Sequence, residues 1–199
     1  MLPHMLNPFV NLCVIALAFV AAYGIVAMIF TPIQTIFLPE ITAYASLMFL
    51  PHGVRILSTM YFGWKAVLPL TVGSWASGLI FTPDRVSYLP DFLVLASLFV
   101  GATCPFVSFE FFKLFGKNYY FTPRSQATHW KQLIVVGLLA SVLNSLGQVV
   151  VHSDYIDPSA FIRVAATYAV GDTIGLIVMM LLLMLFFRWV RIAQKASQK

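Results

Sequence analysis

Charge is scarce in this chain. Of its 199 residues, 10% are Asp, Glu, Lys or Arg and 60% are apolar, and the mean hydropathy is +0.89. A soluble domain carries roughly 25% charged residues. The polar surface is too small to cover a globule in water, so lipid is the expected solvent. The net charge is +5, but the basic residues are scattered over loops. With no basic stripe, nucleic acid is excluded as a partner. Cysteine is almost missing. Cys13 and Cys104 both lie in apolar runs and are expected to be free, inert thiols. No CxxC or Cys/His cluster suggests zinc, and P-loop, GxGxxG, HExxH and GxSxG motifs are all absent. Lacking a paired nucleophile and base or a metal cluster, the chain is expected to be no enzyme and to use no cofactor. A signal peptide is also unexpected. Met1 to Pro8 holds no Lys or Arg. The apolar run from Phe9 to Phe30 exceeds the usual 7–15 residues of a cleaved segment, although Ala18 to Ala22 leaves cleavage open.

What the chain has is apolar length. A helix needs about 20 apolar residues to cross the hydrocarbon core. Six stretches meet or approach that length, at approximately 9–30, 41–63, 65–81, 91–115, 131–151 and 161–187. The expected fold is an all-α polytopic membrane bundle of about six transmembrane helices, in one membrane domain over 1–199. Proline marks boundaries at Thr31-Pro32, Leu38-Pro39, Thr82-Pro83, Leu89-Pro90, Thr122-Pro123 and Asp157-Pro158. The third stretch is short and carries Pro69 near its start, so a tilted or partly interfacial segment is an alternative there.

Orientation follows from the basic residues. With six crossings, Lys65, Lys113, Lys117, Arg124, Lys131, Arg188, Arg191, Lys195 and Lys199 fall on one side. The other side receives Arg85 and Arg163, with Glu40, Asp84, Asp91, Asp154 and Asp157. Both termini are therefore expected in the cytoplasm. Trp64, Trp130 and Trp189 fall at the same cytoplasmic ends, where an amphipathic ring is stable. No loop exceeds roughly 20 residues, too few to build a core of its own.

Several polar groups lie inside the apolar stretches. An intramembrane charge costs about 2.5–3.5 kcal/mol on insertion scales and therefore faces protein or water. Pro51-His52-Gly53-Val54-Arg55 interrupts the second stretch. Proline frees a carbonyl, and Gly53 permits a bend. His52 and Arg55 share a helix face. Either a neighbour pairs with Arg55 or the kink is a ligand or proton site. Gly171-Asp172-Thr173 lies in the sixth stretch, with Gly175 one turn on and Tyr168 one turn before. Asp172 is a candidate partner for Arg55 at similar depth, with Glu110 as the rival. In the fifth stretch Gly137, Ser141, Asn144 and Gln148 repeat at intervals of 4, 3 and 4, one face of a helix bordered by Ser145. That stripe is either interhelical packing or one wall of a polar cavity. Glu110 and Lys113 form a local interfacial pair. Cys104-Pro105 kinks their helix. Gly73 with Ser77 and Ser74 with Gly78 permit close helix approach in the third stretch. His52, Arg55, Asn144, Gln148, Tyr168 and Asp172 are thus the ligand-binding or polar-core candidates. Pro51, Gly53, Gly171 and Gly175 are the packing and motif candidates.

Leu50-Pro51-His52-Gly53-Val54-Arg55-Ile56-Leu57, then Phe62-Gly63-Trp64-Lys65-Ala66 and Pro69, resembles part of the MASE-type family of bacterial membrane-associated sensor domains. Gly171-Asp172-Thr173-Ile174-Gly175 looks like that family's closing Gly-Asp-x-x-Gly motif. The resemblance implies a bacterial inner-membrane sensor domain. Family members carry histidine kinase or cyclic-dinucleotide enzyme domains. No such domain occurs in this sequence, so the resemblance implies a standalone module working through a partner membrane protein or complex. The motif positions carried over are Pro51, Gly53, Gly171, Asp172 and Gly175.

Two functions follow as expectations. The first is a non-enzymatic sensory or accessory module in the lipid bilayer, acting through that partner. The second is the substrate-binding subunit of a small-molecule transporter. The chain's size and helix count also match the substrate-capturing components of energy-coupling-factor vitamin transporters. A small-molecule ligand would then sit against the polar stripe of the fifth stretch.

Overall fold

The computed structural model describes residues 7–37, 46–82, 92–122, 130–153 and 160–196. Glu40, Asp84, Arg85, Asp91, Arg124, Asp154, Asp157 and Lys199 lie outside the described residues, as do the side chain of Lys195 and the prolines at 39, 83, 90, 123 and 158. Every described regular element is a helix.

Helix α1 spans Pro8–Ile25. The Asn7 side chain accepts from the Phe9 N–H at 3.1 Å, and Pro8 occupies the first helical position, where its missing N–H costs nothing. The Thr31-Pro32 boundary expected from the sequence does not stop this helix. A π-helical turn at Val26–Phe30 carries it into α2, Thr31–Phe37. The wider turn, with the Thr31 N–H reaching Val26 O, absorbs the proline that a regular α-helix would not accept.

Helix α3 is Pro51–Phe62, only 12 residues long. Pro51 starts it, and Gly63 ends it at φ +57°, a positive φ that glycine adopts without steric cost. A 3-10 turn over Gly63–Ala66 leads to α4, Val67–Phe81, of 15 residues. Helix α5 is Phe92–Leu114 and passes through Pro105 unbroken. Gly116, at φ +75°, closes its C-terminal turn with the Lys117 N–H on Phe112 O at 3.0 Å. Helix α6 is Trp130–Val151 and α7 is Phe161–Ala196.

Among the described residues, four helices are long and apolar enough to cross a membrane: Phe9–Phe37, Phe92–Leu114, Trp130–Val151 and Phe161–Gln194. The second and third stretches form helices shorter than the roughly 20 residues a crossing helix needs. Apolar content hides this break, because Leu47, Met48, Phe49 and Leu50 are as apolar as a helix interior while running outside any helix.

Helix α3 sits at the centre. Nine of its residues are buried, from Pro51 through Ile56 and at Ser58, Thr59 and Met60. One apolar cluster joins Phe19 and Ala22 of α1 to Leu50, Val54, Leu70 of α4 and Ala102 of α5. A second joins Ile56 and Met60 to Phe109 of α5, Val136 and Ala140 of α6 and Leu176 of α7. The Phe121 N–H caps the end of α3 on Met60 O at 3.0 Å. Polarity is inverted relative to a soluble protein. His52, Arg55, Asn144, Gln148 and Asp172 are buried, while Leu17, Phe99, Val150 and Ile162 are exposed. This is the distribution expected where the surrounding medium is hydrocarbon.

Helix α7 is unusual in length. Its 36 residues extend about 54 Å at 1.5 Å per residue, against about 30 Å of hydrocarbon. It runs antiparallel to α6, with Asn144 opposite Asp172 and Gly137 opposite Leu176. By that register Trp130 stands level with about Leu183. Roughly 13 further residues, about 20 Å of helix, project past the start of α6. No described residue after Leu176 is buried. The helix passes the expected end at 187 because no Gly or Pro follows Gly175 before Ala196.

Candidate functional site

The site forms where the chain stops being helical inside the bundle. Ser46 to Leu50 crosses α7 at Gly171 and Gly175. A Cβ at Gly171 would collide with the Ser46 carbonyl oxygen, and one at Gly175 with the Phe49 carbonyl. The two glycines, one turn apart, cut a groove in α7 that admits another backbone. Half-buried backbone outside a helix needs partners for its polar groups. The N–H groups of Leu47, Met48 and Phe49 have them. The Leu47 N–H donates to Gln34 Oε1 at 2.8 Å, and the Met48 N–H to Ser46 Oγ at 3.3 Å. The Phe49 N–H donates to Gly171 O at 3.0 Å. The first N–H groups of α3 are also engaged, His52 with Phe49 O at 3.1 Å and Gly53 with Leu50 O at 3.0 Å. Gly53 leaves room for Met179 of α7, so α3 lies close on that helix.

His52 is fully buried. Its Nε2 lies 3.2 Å from Gly137 O and 3.3 Å from Ser141 Oγ, both on α6. Its Nδ1 faces Asp172 Oδ2 at 3.6 Å and has no hydrogen-bond partner. Asp172 Oδ2 accepts from Asn144 Nδ2 at 2.7 Å. The chain of contacts continues along α6. Gln148 Nε2 donates to Asn144 Oδ1 at 3.3 Å and to Ser97 O of α5 at 3.0 Å. Ser97 Oγ donates back to Gln148 Oε1 at 2.7 Å. His152 Nδ1–H reaches Gln148 O at 2.9 Å, near the end of α6. The 4-3-4 stripe of the fifth stretch thus faces the bundle interior along its whole length. Tyr168, one turn before Asp172, is half-buried.

Arg55 is 6% exposed, and its Nε has no partner. The expected direct pair with Asp172 is not formed, nor is the rival pair with Glu110. Among the described residues Lys113–Glu110 is the ion pair between permanently charged types, and the His52–Asp172 contact is one only when the imidazole is protonated. Aromatic faces hold the guanidinium instead, with its carbon 5.4 Å from the Phe19 ring centre and 5.2 Å from that of Phe49. Such contacts strengthen when the cation is desolvated. Gly101 of α5 provides the remaining space, since a Cβ there would stand 2.6 Å from Arg55 Nη2. Pro105, having no N–H, cannot donate to the Gly101 carbonyl four residues earlier, which leaves an acceptor on that face. Asp172 still balances the charge at longer range. Phe19, Phe49, Ser97 and Gly101 escaped the sequence reading. Nothing distinguishes these two phenylalanines in an apolar run, and the one available hint was a glycine four residues before Pro105.

A second charged group lies at the rim. Lys113 Nζ donates to both carboxylate oxygens of Glu110 at 3.1 Å. The Tyr120 hydroxyl donates to Glu110 Oε1 at 2.9 Å, and its ring stacks on Phe109 with centroids 4.9 Å apart. Burial, the hydrogen bond to Glu110 and that carboxylate's charge push the Tyr120 phenol above its ordinary range.

Among the described residues, no three His, Cys, Asp or Glu side chains gather as a metal-ligand group. No family model, curated protein or solved structure matches the chain.

Proposed function

We propose that this chain is a non-enzymatic sensory or accessory module of a bacterial inner membrane, acting through a partner membrane protein. Both termini are cytoplasmic in this reading. Residues 41–63 and 65–81 complete six crossings, with Ser46 to Leu50 as the non-helical part of the second. One observation carries the proposal. Helix α7 lines the charged centre through Gly171, Asp172 and Gly175 and then continues unbroken to an exposed basic end at Arg188 and Arg191. A change at the centre would move a rigid rod whose far end stands clear of the bundle. The exposed Phe186, Phe187, Trp189 and Ile192 supply an apolar face there for a partner helix. Photoreactive residues at Phe186 and Ile192 in native membranes are expected to capture one defined protein. The same residue at Ile162, at the opposite end of α7, is expected to capture lipid alone. Lipid adducts alone at all three positions would sink the proposal.

A second reading, the substrate-binding subunit of a small-molecule transporter, is favoured by the helix break. Discontinuous helices with buried non-helical backbone form substrate sites in many transporters. Co-purification with an ATPase pair, together with a small molecule released on denaturation, would select it over the first.

A further inference from the structure

We propose that His52 and Asp172 form a binding site for one labile proton, held between His52 Nδ1 and Asp172 Oδ2. This deepens the module reading by naming the ligand of its charged centre.

The tautomer carries the inference. His52 Nε2 points at the Gly137 carbonyl, 3.2 Å away, and a carbonyl oxygen can only accept. Nε2 therefore holds the hydrogen, with Ser141 Oγ as a second acceptor at 3.3 Å. In the neutral ring Nδ1 is then a bare lone pair. It is fully buried, has no partner and faces a carboxylate oxygen at 3.6 Å. A lone pair against a carboxylate is repulsive. One proton on either atom makes the contact attractive, as Nδ1–H⁺ to carboxylate or as carboxyl O–H to Nδ1. The same Oδ2 is fixed by Asn144 at 2.7 Å, so the carboxylate cannot readily turn away. Uptake moves one proton from a solvent hydronium ion to the pair: an O–H bond of hydronium breaks, an N–H or carboxyl O–H bond forms, and water is left.

The surroundings fit a site with two states. Arg55 on α3 is the permanent cation, and Cys104 of α5 lies near enough to interact electrostatically with Arg55 and Asp172. Helix α6 presents Ser141, Asn144 and the Gly137 carbonyl, none of them titratable, and α1 presents Phe19. Without the added proton Arg55 and Asp172 balance, and with it the centre gains one positive charge. Position gives the proton leverage. His52 is the second residue of α3, beside the Ser46 to Leu50 segment, and Asp172 lies between the two glycines that hold that segment. Closing the 3.6 Å gap to hydrogen-bond length draws the start of α3 onto α7, the helix that leaves the bundle. The polar path through Asn144, Gln148 and Ser97 leads from the pair toward the end of α6.

The test is imidazole ¹⁵N NMR of histidine-labelled protein in lipid nanodiscs, with His52→Gln to assign the signals. The titration runs from about pH 4 to about pH 9, either side of an ordinary histidine. Nε2 is expected to stay protonated while Nδ1 changes in a single step. In Asp172→Asn the midpoint is expected to move by at least about one pH unit, a tenfold change in proton affinity. If that variant does not fold, the carboxyl stretch of Asp172 in the unaltered protein, assigned with Asp172→Glu, must shift in the same step. A bare Nε2, an Nδ1 that keeps one state across the range, or a midpoint and carboxyl band indifferent to the partner would each overturn the proposal. These outcomes are independent of the crosslinking above. A captured partner with no proton step removes this inference alone, and a proton step with lipid adducts alone removes the module reading alone.

Discussion

Among the described residues two clusters each contain a carboxylate and a cation, and they differ in nearly everything else. At the rim, Glu110, Lys113 and Tyr120 come from one helix end and the loop after it, and the Lys113 side chain is half exposed at 51%. At the centre, His52, Arg55, Asn144 and Asp172 come from three helices and lie out of reach of solvent. The rim pair is three residues apart on one helix, so sequence proximity alone makes it. The central contacts exist only because Gly53, Gly101, Gly137, Gly171 and Gly175 let helices and an irregular strand of chain approach closely. Exposed ion pairs contribute about 0–1 kcal/mol. Removing one partner from a buried pair costs about 3–5 kcal/mol, because the other charge is left stranded. Near-identical chemistry therefore carries very different structural weight in the two places.

The contrast is broken most severely through the glycines. Gly175→Leu puts a side chain into the Phe49 backbone, which cannot rotate out of the way. A loss exceeding about 4 kcal/mol is expected, read as failure to melt cooperatively in mild detergent. Gly116→Ala at the rim, where nothing stands within 4 Å of the new Cβ, is expected to cost about 1 kcal/mol, from the positive φ alone. Equal melting of the two variants would show that Ser46 to Leu50 does not occupy the α7 groove.

Charge removal at the centre comes next. Asp172→Asn strands Arg55 and is expected to cost about 3–5 kcal/mol. Arg55→Met together with Asp172→Asn is expected to cost less than the two single changes added. Strict additivity in thermal unfolding would mean that the two charges do not compensate each other across their gap. Gln148→Ala is smaller. It removes the bonds to Ser97 and Asn144 while leaving both charges in place, for about 0.6–2 kcal/mol, the range of interhelical hydrogen bonds in membranes. A larger loss in the same melting assay would place part of the central weight on the amide chain.

The smallest effect belongs to the rim. Glu110→Gln is expected to cost no more than about 1 kcal/mol. Its clearer readout is Tyr120, whose raised phenol owes part of its shift to Glu110. A phenol held above its ordinary value of about 10 adds stability below that pH and loses it as pH climbs through the raised value. Without the carboxylate, tyrosinate absorbance from one residue should appear at lower pH. An unchanged alkaline titration would assign the whole shift to burial.

Much of the medium and of the helix faces was legible in the sequence. Scarce charge over long apolar runs pointed to hydrocarbon as the solvent, because so few polar groups cover a globule poorly, and four described helices are long and apolar enough to cross it. The 4-3-4 spacing from Gly137 to Gln148 specified one polar face on α6, because a helix repeats every 3.6 residues whatever surrounds it. Pro51 read as a kink within a longer helix, whereas it starts a short one, and Gly171 and Gly175 read as packing positions without the groove they form. Tertiary structure decided the rest. Periodicity says which side chains share a face, but not how far one helix slides or turns against the next. That offset gave Asp172 to Asn144 and His52 instead of Arg55, and left Arg55 between Phe19 and Phe49 against Gly101. It also made the second stretch a half-length helix behind irregular backbone. Hydropathy measures what a segment is made of, whereas its path depends on whether a neighbour offers a groove and hydrogen-bond acceptors, and here α7 and Gln34 offer both.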